Sequence, residues 1–126
     1  MKLQNLLSNL EKHHKKKLDL SLGRTFNLLK KLGNPQDKLK NVITVVGTNS
    51  KASMCYSLKS ILNEAGYRCN MYTSPHLQFL RERFVYSDSE ILDENLIKLL
   101  LDVEKTLGDD NATVFEILTC GFLKYA

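Results

Sequence analysis

A chain of 126 residues, 43% hydrophobic and 25% charged with a formal net charge of +4, has room for one small domain and the composition of an ordinary soluble protein. No apolar run approaches the roughly 18 residues needed to span a bilayer. The N-terminal stretch "MKLQNLLSNLEKHHKKK" is amphipathic and lacks a small-residue cleavage site, so it does not read as a secretory signal and the cytosol is the expected compartment.

In chain order, Leu3, Leu6, Leu7 and Leu10 follow the spacing of one helical face and predict a first helix running into the Lys15–Lys17 cluster. Leu22, Phe26, Leu29 and Leu32 predict a second helix that stops at "GNP", where Gly33 suits a left-handed end and Pro35 blocks continuation. Residues 1–40 carry ten Lys/Arg against three Asp/Glu, the remainder eight against eleven. Such a basic entry segment can attract an anion or nucleic acid, although lysines on a helix's polar side are usually just solvated.

Val42 to Val46 is β-rich with little alternation, as expected of a strand covered on both faces. A small polar loop follows, then Met54, Leu58, Ile61, Leu62 and Ala65 as the buried stripe of a helix closed by Gly66, and then a second strand at Tyr67–Tyr72. Strand, loop, helix and strand predict a right-handed βαβ unit with parallel strands. A long connection holding Pro75 and a polar turn at Asp88-Ser89 comes next; loops of that length are often functional. Asp93 can cap a helix with Leu96, Leu99, Leu100, Val103 and Leu107 inward, ended by Gly108, and "TVFEILTCGFLKYA" begins another. Two parallel strands cannot cover all these helices, so apolar faces are expected to lack partners and the chain reads as the front part of something larger.

The three cysteines, Cys55, Cys69 and Cys120, form no Cys-x-x-Cys pair and read as reduced, packed thiols. His13, His14 and His76 are not spaced as a zinc site.

The loop Gly47–Ser53, "GTNSKAS", raises the question of phosphate binding. A Walker-type loop has Gly-x-x-x-x-Gly-Lys followed directly by Ser or Thr; here Ser50 replaces the second glycine and Ala52 separates Lys51 from Ser53. A strand-loop-helix turn aims backbone N–H groups and the positive end of a helix dipole at one spot. Lys51 would add a charge, and Ser53 on the first turn could meet a nucleotide's magnesium. Glycine at the Ser50 step would serve a positive φ, and a side chain there costs roughly 1–2 kcal/mol. On the loop alone, a phosphate cradle and a polar turn that happens to contain lysine stand even.

"GTNSKAS" followed by "ILNEAGYRCNMYTSPHLQFLRERF" resembles the start of the folylpolyglutamate synthase and dihydrofolate synthase family, within the Mur ligase superfamily. That family's loop reads G-T-N-G-K-G-S, and its following strand delivers T-S-P-H-L and an E-R tail. The likeness extends upstream through "LGRTFNLLKKLGNPQDKLKNVITV" and downstream to a T-x-F-E-x-x-T segment. It implies an α/β, P-loop-type, three-layer ATP-binding domain. Residues 1–126 would be its incomplete N-terminal part, a βαβ unit with flanking helices, and the C-terminal glutamate-binding domain would be absent.

The resemblance also implies roles. Gly47, Thr48, Asn49, Ser50, Lys51, Ala52 and Ser53 would hold ATP phosphates, with Lys51 neutralising the β- and γ-phosphates. Ser53, Ser74 and Glu116 would surround Mg²⁺, directly or through water. Pro75, His76, Phe79 and Arg83 would border the folate or pterin pocket. Thr113 and Glu116, three apart at a helix start, also fit a capping box, in which Glu116 bonds backbone instead of metal.

The implied reaction is ATP-dependent addition of L-glutamate to folate, or to dihydropteroate, through an acyl phosphate. The full-length enzyme would be a monomer without nucleic-acid or membrane partners, and this chain alone would not turn over. Rival readings are another Mur-family amide ligase, a non-catalytic remnant, and a basic nucleic-acid-binding module built on the first two helices, which lacks any aromatic platform there.

Overall fold

The computed structural model describes residues 2–14 and 21–126. The lysine cluster at 15–17 lies outside them. The chain divides into two compact units, one from Met1–Leu39 with Asp93–Ala126, the other Lys40–Leu92.

The first unit is helical. Helices α1 (Leu3–His13), α2 (Gly23–Lys31), α4 (Asp93–Leu107) and α5 (Val114–Tyr125) enclose its core. All five predicted inner positions of α4 are buried, and α4 packs on α1, α2 and α5, whose own buried residues are Leu6 and Leu10, Leu28 and Leu29, and Ile117, Leu118, Cys120 and Phe122. Each such leucine contributes roughly 1.5–3 kcal/mol by leaving water. Helix α5 approaches α4 closely because Gly121 has no side chain; a Cβ there would stand 2.5 Å from Leu99 Cδ2.

Helix α2 presents a different face from the one its spacing suggested. Leu28 and Leu29 are buried, whereas Leu22 and Phe26 are exposed. Its end is as expected: Gly33 at φ +85° donates to the Lys30 carbonyl, Asn34 donates to that of Leu29, and Pro35 opens a 3-10 turn, Pro35–Lys38. These two bonds satisfy carbonyls that the helix terminus would otherwise orphan.

In the second unit, α3 (Lys51–Glu64) precedes a small sheet of β1 (Met71–Tyr72), β2 (Phe84–Tyr86) and β3 (Ser89–Glu90), ordered β1-β2-β3 and antiparallel throughout. Tyr72 pairs with Phe84 in register, their rings edge to face with centroids 5.6 Å apart. Met71, Leu80, Phe84 and Val85 form the buried centre.

This corrects the expected parallel strand pair. Residues 42–46 form no ladder among the described residues, and only Met71 and Tyr72 of the second predicted strand are paired. Their partner is β2, within the stretch read from sequence as a connection. A strand exists only where another backbone takes up its N–H and C=O groups, and local β propensity does not supply one. The stripe predicted on α3 is likewise not a buried one: no α3 residue is fully buried, and Met54 and Ile61 are exposed. The helix ends as predicted, with Gly66 at φ +87° donating to Asn63 and Tyr67 donating to Leu62.

Candidate functional site

The stretch Gly47–Ser53 leads into the N-terminus of α3. Gly47 sits at φ +153°, and Ser50, the residue before the helix, is left-handed at φ +60° and ψ +11°. Its side chain makes no capping hydrogen bond. The first-turn amides of a helix have no intrahelical acceptor, so those of Lys51, Ala52 and Ser53 are open to an outside oxygen. The Lys51 ammonium folds back across the loop, donating to Gly47 O at 2.6 Å and Thr48 O at 3.5 Å. Amides, dipole and ammonium therefore gather at one exposed place, which is what an anion requires.

The second feature is the segment 73–83. Ser74 and Pro75, joined by a cis peptide bond, are exposed. After them Glu82 organises the turn: its carboxylate accepts from the amides of Leu77 (2.8 Å), Gln78 (2.9 Å) and Phe79 (2.6 Å). Those bonds, that of Phe79 foremost, hold its pKa below the ordinary value. The half-buried side chains of His76 and Arg83 meet, Arg83 Nε donating to His76 Nδ1 at 2.9 Å. Phe79 is exposed on the loop, with the Arg81 guanidinium 4.4 Å from its ring centroid. The structure thus joins His76 to Arg83 and leaves Ser74 and Pro75 on the loop's surface. Sequence reasoning placed Glu82 only in a motif and missed its organising role; a carboxylate three to five residues after a run of loop amides was the available signal.

Glu116 belongs to the helical unit, and its carboxylate is engaged. Oε2 accepts from Thr113 N at 2.7 Å and Arg24 Nε at 3.2 Å, and Oε1 from Arg24 Nη2 at 2.9 Å, while Glu116 N bonds Thr113 Oγ1. This is the capping box at the start of α5, reinforced by a two-point ion pair. Burial raises the Glu116 pKa, but the bonds from Arg24 and Thr113 outweigh it and the net shift is downward. Arg24 was not singled out in the sequence, because the 92 residues between the two partners carry no local signal.

Hydroxyl oxygens such as those of Ser53 and Ser74 fit a hard cation whose remaining ligands come from phosphate and water. Glu116, with three hydrogen bonds already on its two oxygens, fits less well. Among the described residues no group of three His, Cys, Asp or Glu side chains is arranged to hold a metal ion, and no helix is long and apolar enough to cross a membrane.

A helix N-terminus behind a Gly-Thr-Asn loop, with lysine across it, has the loop-helix form of P-loop-type α/β folds. Comparison with known proteins narrows this. No family model matches. The dihydrofolate synthetase of Saccharomyces cerevisiae is 36% identical over 110 residues, 86% of this chain and 26% of that protein. The solved structure of Escherichia coli FolC in complex with DHPP and ADP superimposes with a TM-score of 0.88 at 36% identity, covering 98% of this chain and 30% of that one. A bifunctional folylpolyglutamate synthase/dihydrofolate synthase with Mn, AMPPNP and L-glutamate bound gives a TM-score of 0.88 at 30% identity, covering 99% and 30%. The chain is a relative of the folylpolyglutamate synthase/dihydrofolate synthase family along nearly its whole length, with their Mur-ligase-like fold, and it spans only 26–30% of the length of these three proteins.

Proposed function

We propose that this chain supplies the phosphate-binding loop and a folate-facing loop of an ATP-dependent ligase that joins L-glutamate to folate or dihydropteroate. The carrying observation is the Gly47–Ser53 loop, where Lys51 crosses to Gly47 O at 2.6 Å in front of uncapped α3 amides. The nucleotides, DHPP and L-glutamate bound in related structures support the same reading.

In this reaction the acid substrate's carboxylate oxygen attacks the γ-phosphorus and ADP leaves. The glutamate amine then attacks the acyl phosphate, releasing phosphate and leaving an amide. Phosphoryl transfer asks the protein mainly for alignment and charge neutralisation. The amides at the start of α3 bind phosphate oxygens, and Lys51 exchanges its carbonyl contacts for the β- and γ-phosphates. The Ser53 and Ser74 hydroxyls would hold Mg²⁺, which when bound neutralises phosphate charge. Glu116 is assigned to the α5 cap in place of the metal role, since its oxygens already serve Arg24 and Thr113. His76, Phe79 and Arg83 face the pterin-bearing substrate.

Titration of Mg-ATP into the 126-residue chain and its Lys51→Ala variant tests the reading. Loss of one charge-assisted phosphate contact is expected to weaken binding about tenfold or more. Equal affinities in the two proteins would rule the cradle out.

A further inference from the structure

Helix α3 carries the Gly47–Ser53 loop at its start, yet no residue along it is fully buried. Apolar packing therefore does little to fix its direction, and polar contacts matter more. Lys59 and Asn63 lie four residues apart on one face of the helix. Asn63 Nδ2 donates to Asp88 Oδ1 at 2.8 Å, and the Lys59 ammonium stands 3.6 Å from the same oxygen. Among the described residues, every side-chain hydrogen bond or ion pair that ties α3 to the sheet region ends on Asp88.

The turn between β2 and β3 is shaped to present that carboxylate. Ser87 is left-handed at φ +54°, a conformation that strains a residue bearing a Cβ, and its amide donates to Asn70 Oδ1 at 2.9 Å. Asp88 follows directly, its side chain 75% exposed where that of Lys59 is only 11% exposed. The Lys59 nitrogen is shut off from solvent and makes no hydrogen bond, so Asp88 is the one carboxylate that compensates it among the described residues. A buried ammonium that loses its partner costs more than the contact itself.

The two α3 residues stand eight and twelve positions beyond Lys51, about 12–18 Å along the axis. A tilt of about 10° around them would carry the amides of Lys51, Ala52 and Ser53 about 2–3 Å, farther than a hydrogen bond tolerates. We infer that Lys59, Asn63 and Asp88 form a clasp that sets the direction of α3, with Asp88 as a positioning residue for the phosphate loop. The loop's shape is local; its aim is not. What the aimed amides bind rests on the nucleotide reading, whereas the aim itself is observable without nucleotide.

The test combines amide ¹H–¹⁵N spectra with Mg-ATP titration of the 126-residue chain. Asp88→Ala leaves the Lys59 ammonium buried without its counter-charge, and the helix must shift to bring it to water. The amide resonances of Lys51, Ala52 and Ser53 should move. Mg-ATP should bind about three- to tenfold more weakly, as the aligned fraction falls by that factor. Adding Lys59→Met removes the stranded charge, so the double variant should return both readouts toward the parent, and Asp88→Glu should stay close to it. Should Asp88→Ala not fold, Asp88→Asn, which can still accept from Asn63 but lacks the charge, carries the same expectation. Unmoved first-turn amides, or a double variant no nearer the parent than the single one, overturn the clasp. Moved amides with unchanged Mg-ATP affinity, in a parent whose affinity depends on Lys51, overturn the positioning role of Asp88. Should Lys51→Ala leave that affinity unaltered, the nucleotide reading fails and the amide shifts still decide the clasp.

Discussion

Replacing Ser50 with glycine should stabilise the chain, and the structure allows the size of the gain to be worked out. Ser50 is left-handed at φ +60°, a conformation that costs a residue bearing a Cβ roughly 1–2 kcal/mol. Glycine relieves this strain but makes the unfolded chain more flexible, which offsets about 0.4–1 kcal/mol. No cap is lost, because the Ser50 side chain accepts no hydrogen bond from the helix, and the residue is exposed, so no burial is forfeited. The net expectation is about 0.5–1 kcal/mol of added stability, seen as a higher urea midpoint at unchanged slope. Ser50→Ala keeps the positive φ and should lie within about 0.5 kcal/mol of the parent. If glycine lowered the midpoint, or alanine cost the roughly 1 kcal/mol of a lost cap, the strain account would be wrong.

Arg24→Met should destabilise the helical unit by about 2–4 kcal/mol, since it strands a carboxylate whose side chain is 11% exposed; urea unfolding measures it. The Glu116 pKa is lowered from 4.5, so the pair's contribution is fully present above that value and is lost as pH falls through the depressed folded pKa. The parent should show this acid limb, and Arg24→Met a shallower one. Glu82→Gln should speed amide exchange at Leu77, Gln78 and Phe79, the three groups its carboxylate accepts from, while leaving α4 and α5 protected; unchanged exchange at those amides would contradict its organising role. Cys120 is fully buried, and burial pushes its thiol up to about 12, so a thiol reagent at pH 8 should modify Cys55 and Cys69 and reach Cys120 only on unfolding.

Features set within a few residues were legible from the sequence. The five inward positions of α4 repeat with a helical period, and all are buried. The left-handed ends at Gly33, Gly66 and Gly108 and the Thr113–Glu116 box follow from residue type and spacing alone, and the positive φ at Ser50 from its standing where a Walker-type loop has glycine. Features set by a distant partner were not. Residues 84–86 become a strand because Met71 and Tyr72 lie alongside them, and no periodicity in three residues announces that. On α2, Leu28 and Leu29 lie about 100° apart around the axis, so the spacing admits more than one apolar face. Packing against its neighbours decides which is buried. The Arg24–Glu116 pair was invisible for the same reason, although each residue is ordinary in its own helix.

The same distinction explains why the Gly47–Ser53 loop can hold its form beside poorly covered apolar residues. Val42, Ile43 and Val46 before it are 60–84% exposed, and Met54 and Ile61 after it are more than half exposed, so burial contributes little to its shape. What holds it is local: a left-handed Ser50, a lysine bound to the carbonyls three and four residues behind it, and a helix stopped by its own Ala65-Gly66-Tyr67 end. None of these depends on a second layer. Exposed apolar positions on both sides mark surface suited to covering by other elements, and covering them would add stability without having to create the loop's shape.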